Sequence, residues 1–146
     1  MSALEIQRLR ASAIARELVE RSPASSIACI FAGGSLGRGE VWCAEIAGLL
    51  EVYSDVDLYV VVGNETAFAS VRAAAAAITA APVTGVRFLR APDVGVYSRA
   101  DLLAQPARPG TIDLSVNHVL LHGDPSVPAG LPAPDPSRMA PEEALY

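Results

Sequence analysis

Strands alternating with helices place this chain in the α/β (α+β) class, with a mixed central sheet flanked by helices. Three observations carry that prediction. Residues 3–21 show apolar side chains at helical spacing, two short apolar runs at 27–31 and 58–62 have the length of buried strands, and residues 66–81 are rich in alanine.

Leu4, Ile6, Leu9, Ile14, Leu18 and Val19 predict a helix from Ala3 to Arg21, stopped by Ser22-Pro23. Ile27 to Phe31 is a strand candidate that ends at Gly33-Gly34. The stretch from Gly39 to Val52, with Trp42 and Gly48, predicts a short helix or hairpin inserted before the next strand. Leu49 to Val62 is strand-forming, most strongly at Leu58-Tyr-Val-Val-Val62, and Gly63-Asn64 supplies a stop and an N-cap.

Thr66 to Ala81 predicts a helix ended by Pro82. Val86–Leu89 and Val94–Tyr97 are short strand candidates. Ser98-Arg-Ala-Asp101 resembles a capping box with Asp in place of Glu, opening one helical turn through Leu103. Thr111 to Leu121 fits helix and strand equally. From Gly123 onward, Pro125, Pro128, Pro132, Pro134, Pro136 and Pro141 predict an extended segment without regular structure. The expected organisation is one domain over residues 1–124 and a Pro-rich tail over 125–146. The tail ends in Pro141-Glu-Glu-Ala-Leu-Tyr146, which reads as the first turn of a helix leading to a further helical domain.

Composition bounds the function. The chain has 146 residues, enough for one domain with a core. Net charge is −5, and all 11 basic residues are Arg. Neutralising a long polyanion needs clustered basic residues, so long nucleic acid is not an expected partner. A small nucleotide bound through a metal remains compatible, because the cation supplies positive charge. Cys29 reads as a small buried hydrophobe, and neither it nor Cys43 belongs to a CxxC or zinc pattern. No apolar run is long enough to span a bilayer and the amino terminus lacks a signal peptide's apolar centre, so a cytoplasmic protein is expected.

Two segments carry chemistry. Gly33-Gly34-Ser35 closes the first strand, where glycine permits a tight turn and close approach of a phosphate, and Ser35 offers a hydroxyl and an amide. Arg38 in the same turn can neutralise a phosphate oxygen. Asp55-Val-Asp57 opens the second strand. Side chains two apart on an extended backbone share a side, so both carboxylates reach one point while Val56 and Leu58 face the core. Two hard oxygen donors suit Mg²⁺, which completes its shell with water and phosphate. Each segment alone is also explained as a turn. His118 and His122, spaced i, i+4, lack the acidic residue of a zinc HExxH helix and read as structural. Asp124 reads as a turn residue before Pro125.

Gly34-Ser35 followed by Asp55-Val-Asp57 between apolar strands resembles the signature of the polymerase beta-type nucleotidyltransferase superfamily, which includes aminoglycoside and minimal nucleotidyltransferases. The resemblance covers roughly residues 25–125. It implies a Mg²⁺-dependent enzyme moving a nucleoside monophosphate from a triphosphate such as ATP to a hydroxyl of a small molecule or protein. It also implies a third aspartate on a later strand, Asp93 in preference to Asp113. Under it, Asp55, Asp57 and Asp93 are metal and catalytic residues, and Gly34, Ser35 and Arg38 hold phosphate. The Leu120-Leu-His-Gly-Asp124 segment resembles the Gly-Asp turn that joins the family's next domain. The separation of Ser35 from Asp55 by positions 36–54 exceeds the family's compact form and implies an insertion. The alternative reading is a non-catalytic nucleotide-binding module acting with a partner, either a helical protein or another copy of the chain.

Overall fold

A computed structural model describes residues 1–105 and 109–131. Helix α1 spans Ala3–Arg21, as the spacing predicts. The hydroxyl of Ser2 accepts from the Glu5 amide (3.2 Å) while Glu5 accepts from the Ser2 amide (2.7 Å), a reciprocal capping box. Ser2→Ala is expected to cost about 1 kcal/mol, read as a small fall in the denaturant midpoint with an unchanged slope.

Four strands form the main sheet: β1 (Ile27–Ala32), β4 (Asp57–Val62), β6 (Asp93–Tyr97) and β7 (Val119–Gly123), in the order β6-β4-β1-β7. β1 is antiparallel to both β4 and β7, and β4 is parallel to β6. The expected insertion is a hairpin, β2 (Cys43–Ile46) with β3 (Leu49–Val52), joined in parallel by β5 (Val86–Phe88) into a second, three-stranded sheet. Ala47 and Gly48, both with positive φ, make its two-residue turn, the conformation that matches the twist of the flanking strands.

The two sheets share one register. Leu50 pairs with Val86 and Asp57 with Asp93, the same offset in sequence. Residues 49–62 and 86–97 therefore run as one long parallel pair, broken at 53–56 and 89–92. Even there the Leu89 amide donates to the Val52 carbonyl (3.0 Å) and the Asp93 amide to the Val56 carbonyl (2.8 Å). Asp55 and Asp57 stand where the chain passes from one sheet to the other.

Both faces of the main sheet are covered. On one, Ile14 and Leu18 of α1 and Val71 of α3 (Phe68–Ala76) pack on Ile30, Val56, Leu58 and Val60. On the other, Cys29, Phe31 and Val61 meet Leu102 of α4 (Arg99–Leu103), Leu114 of α5 (Pro109–Val116) and Val127 of α6 (Ser126–Ala129). α2 is the single turn Gly34–Gly37. Phe31, Tyr59 and Tyr97 stack across three neighbouring strands, with ring centroids 5.2 and 5.8 Å apart.

Two expectations need correction, and one left open is resolved. The alanine-rich helix stops at Ala76 instead of Ala81, and Ile78 and Ala80 pack against the core from non-helical backbone. Residues 111–121 divide into the end of α5 and β7. The extended conformation expected from Gly123 onward does not hold at Ser126–Ala129, which form a helical turn that buries Val127. Asp124 shapes that turn as expected, accepting from the Ser126 amide (2.8 Å), a bond that also lowers its pKa. Tail residues 132–146, with the expected terminal helical turn, lie outside the described residues. No described helix is long and apolar enough to cross a membrane.

Candidate functional site

The alternation of β4 sorts its side chains. Val56 and Leu58 are buried against α1, while Asp57 and Tyr59 lie on the opposite face, with Phe31 and Leu114. Gly33 donates its amide to the Asp57 carbonyl (3.0 Å), which fastens the glycine turn to the start of the aspartate strand. A Cβ on Gly33 would lie 2.6 Å from a Leu114 methyl carbon and 3.0 Å from the Tyr59 ring. Gly34 adopts φ 59°, and a Cβ there would overlap Asp57 Oδ2. The turn and the carboxylate are in direct contact. That proximity is what the two motifs, distant in sequence, require.

α2 starts at Gly34, so the amides of Gly34, Ser35 and Leu36 have no carbonyl one turn back within the helix. Gly34 and Ser35 line a cleft of about 550 Å³ together with Asp55, Asp57 and Tyr59. Arg38, Asp113 and, from the hairpin base, Trp42, Tyr53 and Ser54 complete its lining.

Asp57 is partly buried, and its pKa is raised above the ordinary carboxylate value. The largest cause is burial, followed by the negative charges of Asp55 and Asp93, with Arg38 partly opposing them. Asp93 sits directly across from Asp57 in the β4–β6 register but is exposed and does not line the cleft. Asp113 lies on helix α5, not on a strand. Its Oδ2 is 2.6 Å from Arg38 Nη1 and its Oδ1 accepts from Asn117 Nδ2 (2.9 Å). Arg38 also approaches Glu40 (3.3 Å), and Asp113 first, then Glu40, raise the guanidinium pKa.

No group of three or more His, Cys, Asp or Glu side chains is arranged to hold a metal ion among the described residues. Mg²⁺ ordinarily takes one or two protein carboxylates and fills its shell with water and phosphate. The Asp55–Asp57 pair offers two such carboxylates. Neither carboxylate makes a hydrogen bond or ion pair among the described residues, and a cation would offset the negative charges of Asp55 and Asp93 that add to burial in raising the Asp57 pKa.

The histidines fall on different elements. His118 precedes β7, its Nδ1 3.0 Å from the Leu114 carbonyl oxygen and its ring edge-on to Phe31, while His122 lies on β7. Cys29 is buried, its thiol pushed up to about 11 by burial and then by Asp124. Sequence reasoning missed the roles of Trp42, Tyr53 and Ser54 in the cleft. The available signal was an aromatic residue at each end of an inserted hairpin, one of them two residues before Asp55.

No family model and no curated protein matches this chain. Among solved structures it is similar to a toxin–antitoxin complex with AMP-PNP (14% identity, TM-score 0.40) and to a mutant of the toxin–antitoxin pair MntA–HpeT (11% identity, TM-score 0.40). Each comparison covers 82% of this chain and 79% of the other. The functional reading therefore rests on this chain's own residues.

Proposed function

We propose that this chain is a magnesium-dependent nucleotidyltransferase of the polymerase beta type, moving a nucleoside monophosphate from a triphosphate such as ATP to a hydroxyl of a small molecule or protein. The observation that carries the reading is Gly34, held at φ 59° against the Asp57 carboxylate with no room for a Cβ. A phosphate approaching the Gly34-Ser35 backbone thereby comes next to the carboxylate pair.

In this reading Asp55 and Asp57 hold Mg²⁺, which when bound neutralises phosphate charge. Ser35 and the amides of its turn bind the β- and γ-phosphates. Arg38 exchanges part of its contact with Asp113 for a phosphate oxygen. The acceptor oxygen bonds to the α-phosphorus as the bond to the bridging oxygen breaks, pyrophosphate leaves, and the hydroxyl proton passes to a carboxylate. We assign that role to Asp93, which stands outside the cleft lining but pairs with Asp57 across the β4–β6 register and acts on it through its charge, with Asp113 retained by Arg38 and Asn117.

The test is transfer of label from α-labelled ATP by the whole chain, with Mg²⁺ and a panel of hydroxyl acceptors. Label transfer that chelation abolishes and Mg²⁺ restores is the expected result. Binding of Mg-ATP with no transfer to any acceptor would instead assign the chain as a non-catalytic nucleotide-binding module. Absence of both binding and transfer would overturn either form.

A further inference from the structure

We infer that Trp42 and Tyr53, at the base of the inserted hairpin, form a stacking platform for the planar base of the nucleotide. The inference rests on the nucleotide site proposed above and extends it to the half of the ligand that the phosphate turn and carboxylates do not contact.

The two residues are cross-strand neighbours. Cys43 pairs with Val52 at the hairpin's end, and one step further the Tyr53 amide donates to the Trp42 carbonyl (2.8 Å). Opposed residues of an antiparallel pair project to the same face, so both side chains leave the hairpin base on one face. Both line the cleft that contains Asp55 and Asp57. Trp42 is 72% exposed and Tyr53 38%, whereas Phe31 is buried in a stack with the half-buried Tyr59.

Their position is fixed from below. The Trp42 amide donates to Ser54 Oγ (2.8 Å), and the Ser54 carbonyl accepts from Gln7 Nε2 of α1 (2.9 Å). The Tyr53 hydroxyl donates to Glu51 (3.1 Å), which restrains its ring. Exposed rings anchored through their backbone lose little entropy when a flat ligand covers them. With phosphate groups and metal at Gly34, Ser35 and the carboxylates, the exposed rings of Trp42 and Tyr53 are lining left for the uncharged, planar part of the same molecule. Stacking on an aromatic face accepts any base, because every base has a π-face.

Trp42 is the only tryptophan in the sequence, so its emission reports this contact directly. Titrating the whole chain with Mg-ATP is expected to quench Trp42 fluorescence saturably, whereas Mg-tripolyphosphate, which lacks a base, binds without quenching. Trp42→Ala is expected to weaken Mg-ATP about 5- to 150-fold by calorimetry and leave tripolyphosphate affinity unchanged, with Trp42→Phe retaining most of the affinity. Because Trp42 is exposed, neither change threatens the fold. If Mg-ATP binds without quenching and Trp42→Ala binds it as tightly as the parent, the platform is wrong while the nucleotide site stands. If neither Mg-ATP nor tripolyphosphate binds, the underlying site is wrong and the platform falls with it.

Discussion

Asp57→Asn is expected to lower nucleotidyl transfer about 10³-fold or more while leaving the fold intact, the scale of removing a preorganised charge at a reacting centre. The substitution keeps volume and shape but removes the charge that would hold Mg²⁺. It should also stabilise the metal-free protein. The Asp57 carboxyl has its folded-state pKa raised, so the native state binds that proton more tightly than the unfolded chain does. Stability from this group is therefore fully present below the ordinary carboxylate value of 3.8 and is lost as pH rises through the raised folded value. At neutral pH the ionised group opposes folding, and Asn relieves it. Melting curves should show the order reversing with Mg-ATP. Without ligand the Asn variant melts higher, and with ligand at about 100 times its dissociation constant the parent gains about 2.7 kcal/mol and overtakes it. The same titration gives activity an acid limb. In kcat/KM, which reports the metal-free protein, transfer should fall as pH drops through the raised Asp57 pKa, because protonated Asp57 cannot take the cation. A variant that transferred label at the parent's rate would remove Asp57 from the site.

Much of this arrangement is legible in the sequence because it is local. Alternation in Asp57-Leu-Tyr-Val-Val-Val62 specifies which side chains face α1 and which face the cleft, and β4 obeys it. The 3.6-residue pattern and the Ser22-Pro23 stop give α1 its ends. What the sequence hides is long-range. The alanine run favours helix to Pro82 by propensity alone, yet packing of Ile78 and Ala80 against the core ends it at Ala76. Residues 111–121 suit two periods, and the choice is made by the pairing of β7 with β1, a strand about ninety residues earlier in the chain. Asp113 reads as a candidate third carboxylate until the fold brings it to Arg38, 75 positions away, and turns it into an ion-pair partner. The insertion before Asp55 reads only as extra length. Its parallel pairing with β5 makes it a second sheet that continues the register of the first, and the residues at its base, Trp42, Tyr53 and Ser54, line the cleft.

Gly34→Ala should damage both stability and binding, and the two effects can be separated. An L-residue at φ 59° pays about 1–2 kcal/mol for left-handed backbone. On a domain of this size that is a fall of several degrees in melting temperature. The added methyl also meets Asp57 Oδ2, so either the carboxylate rotates away from the glycine turn or the turn opens. Each outcome separates the phosphate turn from the carboxylate pair, and Mg-ATP affinity should drop well beyond what the lost stability explains. Gly48→Ala is the control. Gly48 has φ 78° in the hairpin turn, and a Cβ there meets open space. It therefore carries comparable backbone strain without touching the cleft. If stability alone governs binding, the two variants lose affinity in proportion to their losses in melting temperature. If contact between Gly34 and Asp57 is what brings phosphate to metal, Gly34→Ala loses affinity well beyond its loss of stability, and Gly48→Ala binds Mg-ATP like the parent. Equal binding by both variants would mean that a phosphate has no need of the space beside Asp57, and the Gly34-Ser35 turn would then be only the bend that ends β1.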